Sequence, residues 1–273
     1  MRKRQAYAKI NLAHVVGPLR PDGRHEVASV LQRIDLCDTV HLARTDAGET
    51  VVDGFDDDTL VREALTVFAA ETGEGGWHAR IEKRIPVAAG LGGGSSDAAA
   101  ALALANGLTS APLPNGRLRE LAATLGADLP FFLATGPQLA TGYGTEIRPL
   151  SLPEDFVVLV VLPFGVAKSS TADVYRAFDE RDGAEGFESR RRALMASLDR
   201  VQSTSDLASL PGNDLASAPL ARDLAKLGAF KADVTGAGPA VYGLFESEDA
   251  AARAAATLRG AERSWLARPV GDG

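Results

Sequence analysis

The sequence predicts an α+β protein in two parts, and three observations carry that prediction. Residues 5–43 have the character of strands. A glycine-rich stretch at 86–96 opens directly onto an alanine-rich helix. Prolines at 149 and 153 mark a break before a second series of strands and helices. Of 273 residues, 45% are hydrophobic and 24% charged, enough apolar material for the core of one or two domains.

Ile10, Leu12, Val15 and Val16 give residues 5–16 strand character, and Pro21-Asp22-Gly23 supplies a turn. Residues 27–34 and 39–43 read as two further strands. After an acidic loop, Asp56-Asp57-Asp58, residues 60–71 carry Leu60, Ala64, Leu65, Phe68 and Ala69 at helical spacing. Residues 79–85 read as a strand leading into the glycine stretch, 98–104 as the helix after it, and 118–125 as a helix closed by Gly126. Turns at Gly136-Pro137 and Gly142-Tyr143-Gly144 lead to a boundary near 149–153, so the expected domains are 1–150 and 151–273. The second domain opens with a buried strand at 156–162. It continues with helices at 172–181, 189–196 and 220–227, a strand at 241–245 and a last helix at 249–259.

Charge and cysteine content narrow the function classes. A net charge of −7 argues against nucleic acid or a membrane surface as partner, since both call for basic patches. The single cysteine, Cys37, has no disulfide partner and no zinc companions, which points to a reducing cytoplasm. Met1-Arg2-Lys3-Arg4 is the kind of basic start a signal peptide has, but Lys9 and Asn11 interrupt the apolar segment that should follow. The longest apolar run, 156–162, falls far short of a membrane span.

The chemistry concentrates in three places. In Pro86 to Ser96, Gly90, Gly92, Gly93 and Gly94 lack the Cβ atoms that keep a phosphate off the main chain, and glycine admits the positive φ angles of an anion-binding nest. Ser95-Ser96-Asp97 is expected to cap the next helix, whose positive end then faces the same anion. No lysine follows Gly94, so this is not a Walker loop, and Ser95 stands where a Rossmann turn needs its third glycine. A bare Gly/Ser linker would not be fused to a strand on one side and a helix on the other. Lys9 and Asn11 share one face of a strand, and Asp128 follows a helix end in Gly126-Ala127-Asp128-Leu129-Pro130. By residue type alone, Lys9 reads as a solvated strand lysine and Asp128 as a turn or N-cap residue. Thr235-Gly236-Ala237-Gly238-Pro239 reads as a tight turn or a second backbone cradle.

In order and spacing, these segments resemble the three motifs of the GHMP kinases, the superfamily of galactokinase, homoserine kinase and mevalonate kinase. The resemblance spans nearly the whole chain. It rests on Ala8-Lys9-Ile10-Asn11-Leu12, on residues 20–26 (Arg-Pro-Asp-Gly-Arg-His-Glu), on the glycine block ending at Asp97, on residues 125–132 (Leu-Gly-Ala-Asp-Leu-Pro-Phe-Phe) and on residues 235–243. It implies an N-terminal ribosomal protein S5-like domain, a C-terminal ferredoxin-like α+β domain, and an active site in the cleft between them. It also implies transfer of the γ-phosphoryl of ATP, with Mg²⁺, to the 2-hydroxyl of a cytidine diphosphate derivative of methylerythritol, in the non-mevalonate route to isoprenoid precursors.

The resemblance further assigns roles by position. Asp128 falls at the general base and Lys9 at the lysine that stabilises developing charge. Pro86, Val87, Ala88, Ala89, Gly90, Leu91, Gly92, Gly93, Gly94, Ser95 and Ser96 fall at the ATP phosphate loop, and Lys83 falls near the nucleotide base. Asn11, His25, Tyr175, Gly236 and Gly238 fall on the substrate side, Tyr175 as an aromatic stacking surface. Ser95, Ser96 and water are the candidate Mg²⁺ ligands. The chain departs from the pattern with Arg24 in place of a tyrosine, Thr59 in place of an asparagine, and Ala88 and Ala89 in place of glycines, the last two requiring negative φ. The chemistry suits these residue types: a carboxylate takes the proton of an attacking alcohol, and an ammonium offsets the charge that develops. Other readings are a homoserine, mevalonate or sugar kinase of the same superfamily, or a nucleotide-binding regulator that has lost catalysis.

Overall fold

The computed structural model describes residues 1–46, 48–55, 60–165 and 170–271. The acidic loop Asp56-Asp57-Asp58 and Thr59 lie outside the described residues. The chain forms two compact units, each drawn from separate segments: 1–8, 36–87 and 92–135 in the first, and 9–35, 88–91 and 136–273 in the second. Two long strands, β1 (Arg2–Leu19) and β2 (His25–Arg44), contribute residues to both.

In the first unit, β3 (Thr50–Asp53), α1 (Leu60–Thr72) and β4 (Trp77–Glu82) form a β-α-β crossover with β3 and β4 parallel, while β4 pairs antiparallel with residues 39–44 of β2. α2 (Gly93–Asn106), α3 (Asn115–Leu125) and the single turn α4 (Leu129–Phe132) complete it. Val61, Leu65 and Phe68 of α1 join Leu102 of α2, Leu121 of α3 and Trp77 in one core, where the Phe68 and Trp77 rings meet edge to face at 6.1 Å. α2 carries alanine and leucine on every side, so it is buried along most of its length.

Two strand expectations change here. The strands expected at 27–34 and 39–43 are one continuous strand of 20 residues, since residues 35–38 keep the extended backbone between them. The strand expected at 79–85 ends at Glu82, because the N–H groups of Arg84 and Ile85 turn to the carboxylate of Asp38 instead of a strand neighbour.

In the second unit, residues 29–31 of β2 pair with β5 (Gln138–Thr141), which forms a hairpin with β6 (Glu146–Pro149). The second sheet has the order β10 (Ala261–Ala267), β7 (Val157–Pro163), β9 (Val241–Phe245), β8 (Lys231–Val234), antiparallel throughout. With α7 (Pro219–Lys226) and α8 (Glu248–Thr257), the chain order β7-α7-β8-β9-α8-β10 is the ferredoxin-like β-α-β-β-α-β arrangement. α5 (Thr171–Glu180) and α6 (Phe187–Leu198) are inserted after β7. Ser170 and Asp173 start α5 with a reciprocal capping box. Leu159, Val161, Leu224, Val241, Phe245 and Ala251 form the core under the second sheet. Among the described residues, no helix is long and apolar enough to cross a membrane.

Candidate functional site

A buried polar network in the second unit brings all three motifs together. β1 carries Lys9 and Asn11 on one face, as their spacing predicts, and each is only 4% exposed. The Lys9 ammonium donates to Asn11 Oδ1 at 2.7 Å, and Asn11 Nδ2 donates to Ser29 Oγ at 2.8 Å. Ser29 in turn donates to the carbonyl of Ala13 at 3.0 Å. Thr235 binds Asn11 twice: its hydroxyl accepts from the Asn11 N–H at 3.2 Å and lies 3.1 Å from Oδ1 as donor. Tyr242, fully buried on β9, donates its hydroxyl to the Asn11 carbonyl at 2.8 Å. Burial and the nearby Asp233 push that phenol well above its ordinary pKa, so it remains a donor.

The glycine stretch joins this network through residues 88–91. The Lys9 N–H donates to the Leu91 carbonyl at 2.9 Å, and the Ala240 N–H donates to the Ala89 carbonyl at 3.0 Å. Gly90 has φ +83°, and a Cβ there would overlap the carbonyl oxygen of Thr235, so glycine is required for the two loops to touch. Asn213 braces the third motif from behind, its Nδ2 donating to the carbonyls of Val234 at 2.9 Å and Gly236 at 2.7 Å. A Cβ on Gly236 would lie 3.3 Å from the Lys9 ammonium, which puts this loop's backbone beside the lysine.

The glycine stretch at 86–96 differs from expectation in three details. Ser95-Ser96-Asp97 is not the helix cap. Gly92, at φ +70°, caps α2, which starts at Gly93, and the Ser96 N–H already bonds within the helix to the Gly92 carbonyl at 2.9 Å. Glycine has the freedom to make that left-handed turn three residues before Ser95. Of the four glycines only Gly90 and Gly92 have positive φ, because Gly93 and Gly94 belong to the first helical turn. Ala88, expected at negative φ, has φ +58°, a conformation that costs an alanine about 1 kcal/mol.

Of the residues expected on the substrate side, His25 and Tyr175 come together with ring centroids 4.8 Å apart and planes tilted by 31°. His25 is fixed by its Nδ1, 2.9 Å from the Gly17 carbonyl, and its Nε2 is 3.4 Å from Asp179 Oδ2. Phe178 meets the same imidazole edge to face. Arg24 places its guanidinium 4.4 Å over the Tyr143 ring, so the residue that replaces a tyrosine is itself stacked on one.

In the first unit, Asp128 ends the link after α3 and sits at the N-cap of α4 without a side-chain capping bond. Lys83 donates to Asp38 Oδ2 at 2.6 Å and to Asp97 Oδ2 at 2.7 Å, and both carboxylates are fully buried. Burial alone would lower the Lys83 pKa, but Asp97 and Asp38 together outweigh it and raise it, so the ammonium persists. His41 and His78, without evident partners in the sequence, face Glu82 at 3.3 Å and Asp53 at 2.6 Å.

Sequence reasoning read Asp97 as part of a helix cap and missed Ser29, Asn213, Tyr242 and Asp38 as parts of the site. Each is a polar side chain held in an apolar or loop segment, and only the polar interruption of Leu36-Cys37-Asp38-Thr39-Val40 offers a local signal.

Comparison with known proteins places the chain. The family model "GHMP kinases N terminal domain" matches residues 59–136, and "GHMP kinases C terminal" matches residues 216–262. The chain is 38% identical to a 4-diphosphocytidyl-2-C-methyl-D-erythritol kinase of Geobacter sulfurreducens, with 97% of each protein covered. It is 38% identical to the like-named kinase of Pelotomaculum thermopropionicum over 96% of this chain and 95% of that protein. A crystal structure of 4-(cytidine 5'-diphospho)-2C-methyl-D-erythritol kinase superposes with a TM-score of 0.79 at 33% identity, with both chains fully covered. A mevalonate kinase superposes with a TM-score of 0.77 at 15% identity, a likeness of fold alone. The chain therefore belongs to the GHMP kinases, and among them to the family of the 4-diphosphocytidyl-2-C-methyl-D-erythritol kinases.

Proposed function

We propose that this chain transfers the γ-phosphoryl of ATP to the 2-hydroxyl of 4-diphosphocytidyl-2-C-methyl-D-erythritol, giving the 2-phosphate and ADP in the non-mevalonate route to isoprenoid precursors. The observation that carries the reading is the convergence of three segments far apart in sequence. Lys9 and Asn11, residues 88–91, and Thr235 to Gly238 are linked by hydrogen bonds and backbone packing around one lysine.

In this reading the loop from Pro86 to Ser96 binds the ATP phosphates, helped by the free N–H groups at the start of α2. Asp128 accepts the proton of the 2-hydroxyl as its oxygen attacks the γ-phosphorus and the bond to the ADP oxygen breaks. Lys9, oriented by Asn11, stabilises the charge that gathers on the transferring group. His25 and Tyr175 hold the cytidine end, supported by the proximity of their rings at 4.8 Å, and Gly236 and Gly238 bring backbone to the substrate without side-chain bulk. Lys83 serves the nucleotide side.

Mg²⁺ fits this site as an ion carried by the nucleotide. Among the described residues no group of three His, Cys, Asp or Glu side chains forms a cage, and Mg²⁺ bound through phosphates and water needs none. Ser95, partly exposed in the first turn of α2, is the residue that would contact it. The ion would neutralise charge on the β- and γ-phosphates. We further assign residues 1–150 to an N-terminal domain and 151–273 to a C-terminal one, a division that falls between the two family matches, and we place the protein in the cytoplasm.

The test is ATP consumption by the purified protein with a panel of alcohols. Turnover should appear with 4-diphosphocytidyl-2-C-methyl-D-erythritol and not with homoserine, mevalonate or galactose. Asp128→Ala should lower kcat by about a thousandfold while ATP affinity stays largely intact. Full turnover in that variant removes Asp128 as the base. Phosphorylation of mevalonate or homoserine in preference removes the substrate.

A further inference from the structure

We propose that Asp38, Lys83 and Asp97 form a clasp that sets the conformation of the phosphate loop, making all three positioning residues for the triphosphate of ATP. The inference rests on reading residues 86–96 as that loop, and it specifies how Lys83 serves the nucleotide.

Lys83 lies just past the end of β4, and Asp97 lies in the first turns of α2, fourteen residues further on. Their 2.7 Å ion pair ties the base of the intervening loop, residues 84–96. Asp38 adds a second fastening. Its Oδ2 accepts from Lys83 at 2.6 Å, while its Oδ1 accepts the backbone N–H groups of Arg84 and of Ile85, the latter at 2.9 Å. The residues leading into the loop are thus fixed by a side chain from β2. Fixing the ends of a loop removes the conformations that carry its backbone N–H groups away from a ligand.

The clasp also bears on the helix start. A Cβ on Gly93, the first residue of α2, would lie 3.1 Å from Ile85 Cγ2 and 3.5 Å from the Lys83 ammonium. The N-terminus of α2, the end that attracts an anion, therefore rests directly on the clasp. Two of the three donors of Lys83 are committed to carboxylates, and its ammonium lies 5.5 Å from the Phe55 ring. Burying two carboxylates around one ammonium is costly compared with an apolar cluster of the same volume. A requirement for loop geometry explains why these charges are there.

The experiment compares binding of ATP, inorganic tripolyphosphate and adenosine by calorimetry, together with the KM for each substrate, in the full chain. Lys83→Met should weaken ATP and tripolyphosphate by the same factor, about tenfold or more, and leave adenosine unaffected. KM should rise for ATP and not for the alcohol, and Lys83→Arg should recover part of the loss. If Lys83→Met does not fold, the charge-free combination Asp38→Asn/Lys83→Met/Asp97→Asn and the near-isosteric Asp38→Asn carry the same comparison. Unchanged tripolyphosphate binding in any folded variant of the set overturns the clasp, as does a loss confined to adenosine, which would make Lys83 a base contact. A wild-type protein that binds no tripolyphosphate also overturns it. A wild-type protein that binds tripolyphosphate but phosphorylates no alcohol overturns the kinase reading and leaves the clasp standing.

Discussion

Lys9, buried in the second unit, and Lys83, half-buried in the first, are both fastened by hydrogen bonds, but by different chemistry. Asn11 presents an amide oxygen to Lys9, and Ser29, Thr235 and Tyr242 hold that asparagine by its amide, side-chain oxygen and backbone. Lys83 meets two carboxylates, so its charge is more than balanced where it stands. The contrast sets a lysine tied into a network of amide and hydroxyl groups beside one tied to two buried carboxylates.

Methionine substitution should expose that difference. At Lys83 it strands two buried carboxylates, and the expected loss of stability is about 3–5 kcal/mol, readable as a drop in the denaturation midpoint. The charge-free triple variant should recover most of that loss, since the buried charges leave together. At Lys9 the dominant effect should fall on turnover, by about a thousandfold in kcat. If Lys83→Met is as stable as the wild type, the two lysines do not differ in the way their partners indicate.

The two halves of the glycine stretch offer a similar contrast. Gly90 has positive φ and abuts the Thr235 carbonyl, so Gly90→Ala should cost about 3 kcal/mol or more and loosen the junction of the second and third motifs. Gly94 lies in the first helical turn with nothing within 4 Å of a built Cβ. Gly94→Ala should therefore change stability by at most about 1 kcal/mol, in the favourable direction, while weakening ATP binding where the added methyl faces the phosphates. Thermal melts with and without ATP distinguish the two. Equal loss of stability at both sites would mean that Gly94 serves the fold.

How much of this was legible in the sequence depended on how local each signal is. α1 and β9 follow from apolar spacing and α2 from its run of alanine and leucine, each within a single segment, and the pairing of Lys9 with Asn11 follows from strand alternation over two residues. β8 and β10 escaped notice because Lys231-Ala-Asp-Val234 and Ala261-Glu-Arg-Ser-Trp-Leu-Ala267 are charged edge strands whose partners lie elsewhere in the chain. Asp38 escaped for the same reason, since its value comes from Lys83 and Asp97, 45 and 59 residues away in sequence. The cap of α2 was misplaced because Gly92 makes the turn that serine usually marks. Motif strings brought the site residues to notice, but the hydroxyl and amide groups that orient them came only from tertiary packing.

A third lysine, Lys231, sharpens the comparison in the smallest increment. Lys231 on β8 donates to the Leu210 carbonyl at 2.8 Å, and burial drives its pKa down to about 8, against which Asp233 gives only partial support. The folded-state value lies below the unfolded 10.5, so the unfolded chain binds more protons between those limits and stability rises with pH across that window. Below about pH 8 the destabilisation is present in full, and the gap corresponds to roughly 3–4 kcal/mol. Asp233, whose pKa burial raises, acts in the opposite sense, since stability falls as pH rises through its titration. Lys231→Met should flatten the stability profile between about pH 8 and 10.5 and raise stability at pH 7 by about 1–2 kcal/mol, less than the full gap because the Leu210 carbonyl loses its donor. Denaturant titrations at pH 7 and pH 9.5 provide the measurement. A steeper profile in the variant than in the wild type would show that Lys231 is stabilised by its surroundings, as Lys83 is, and not strained by them.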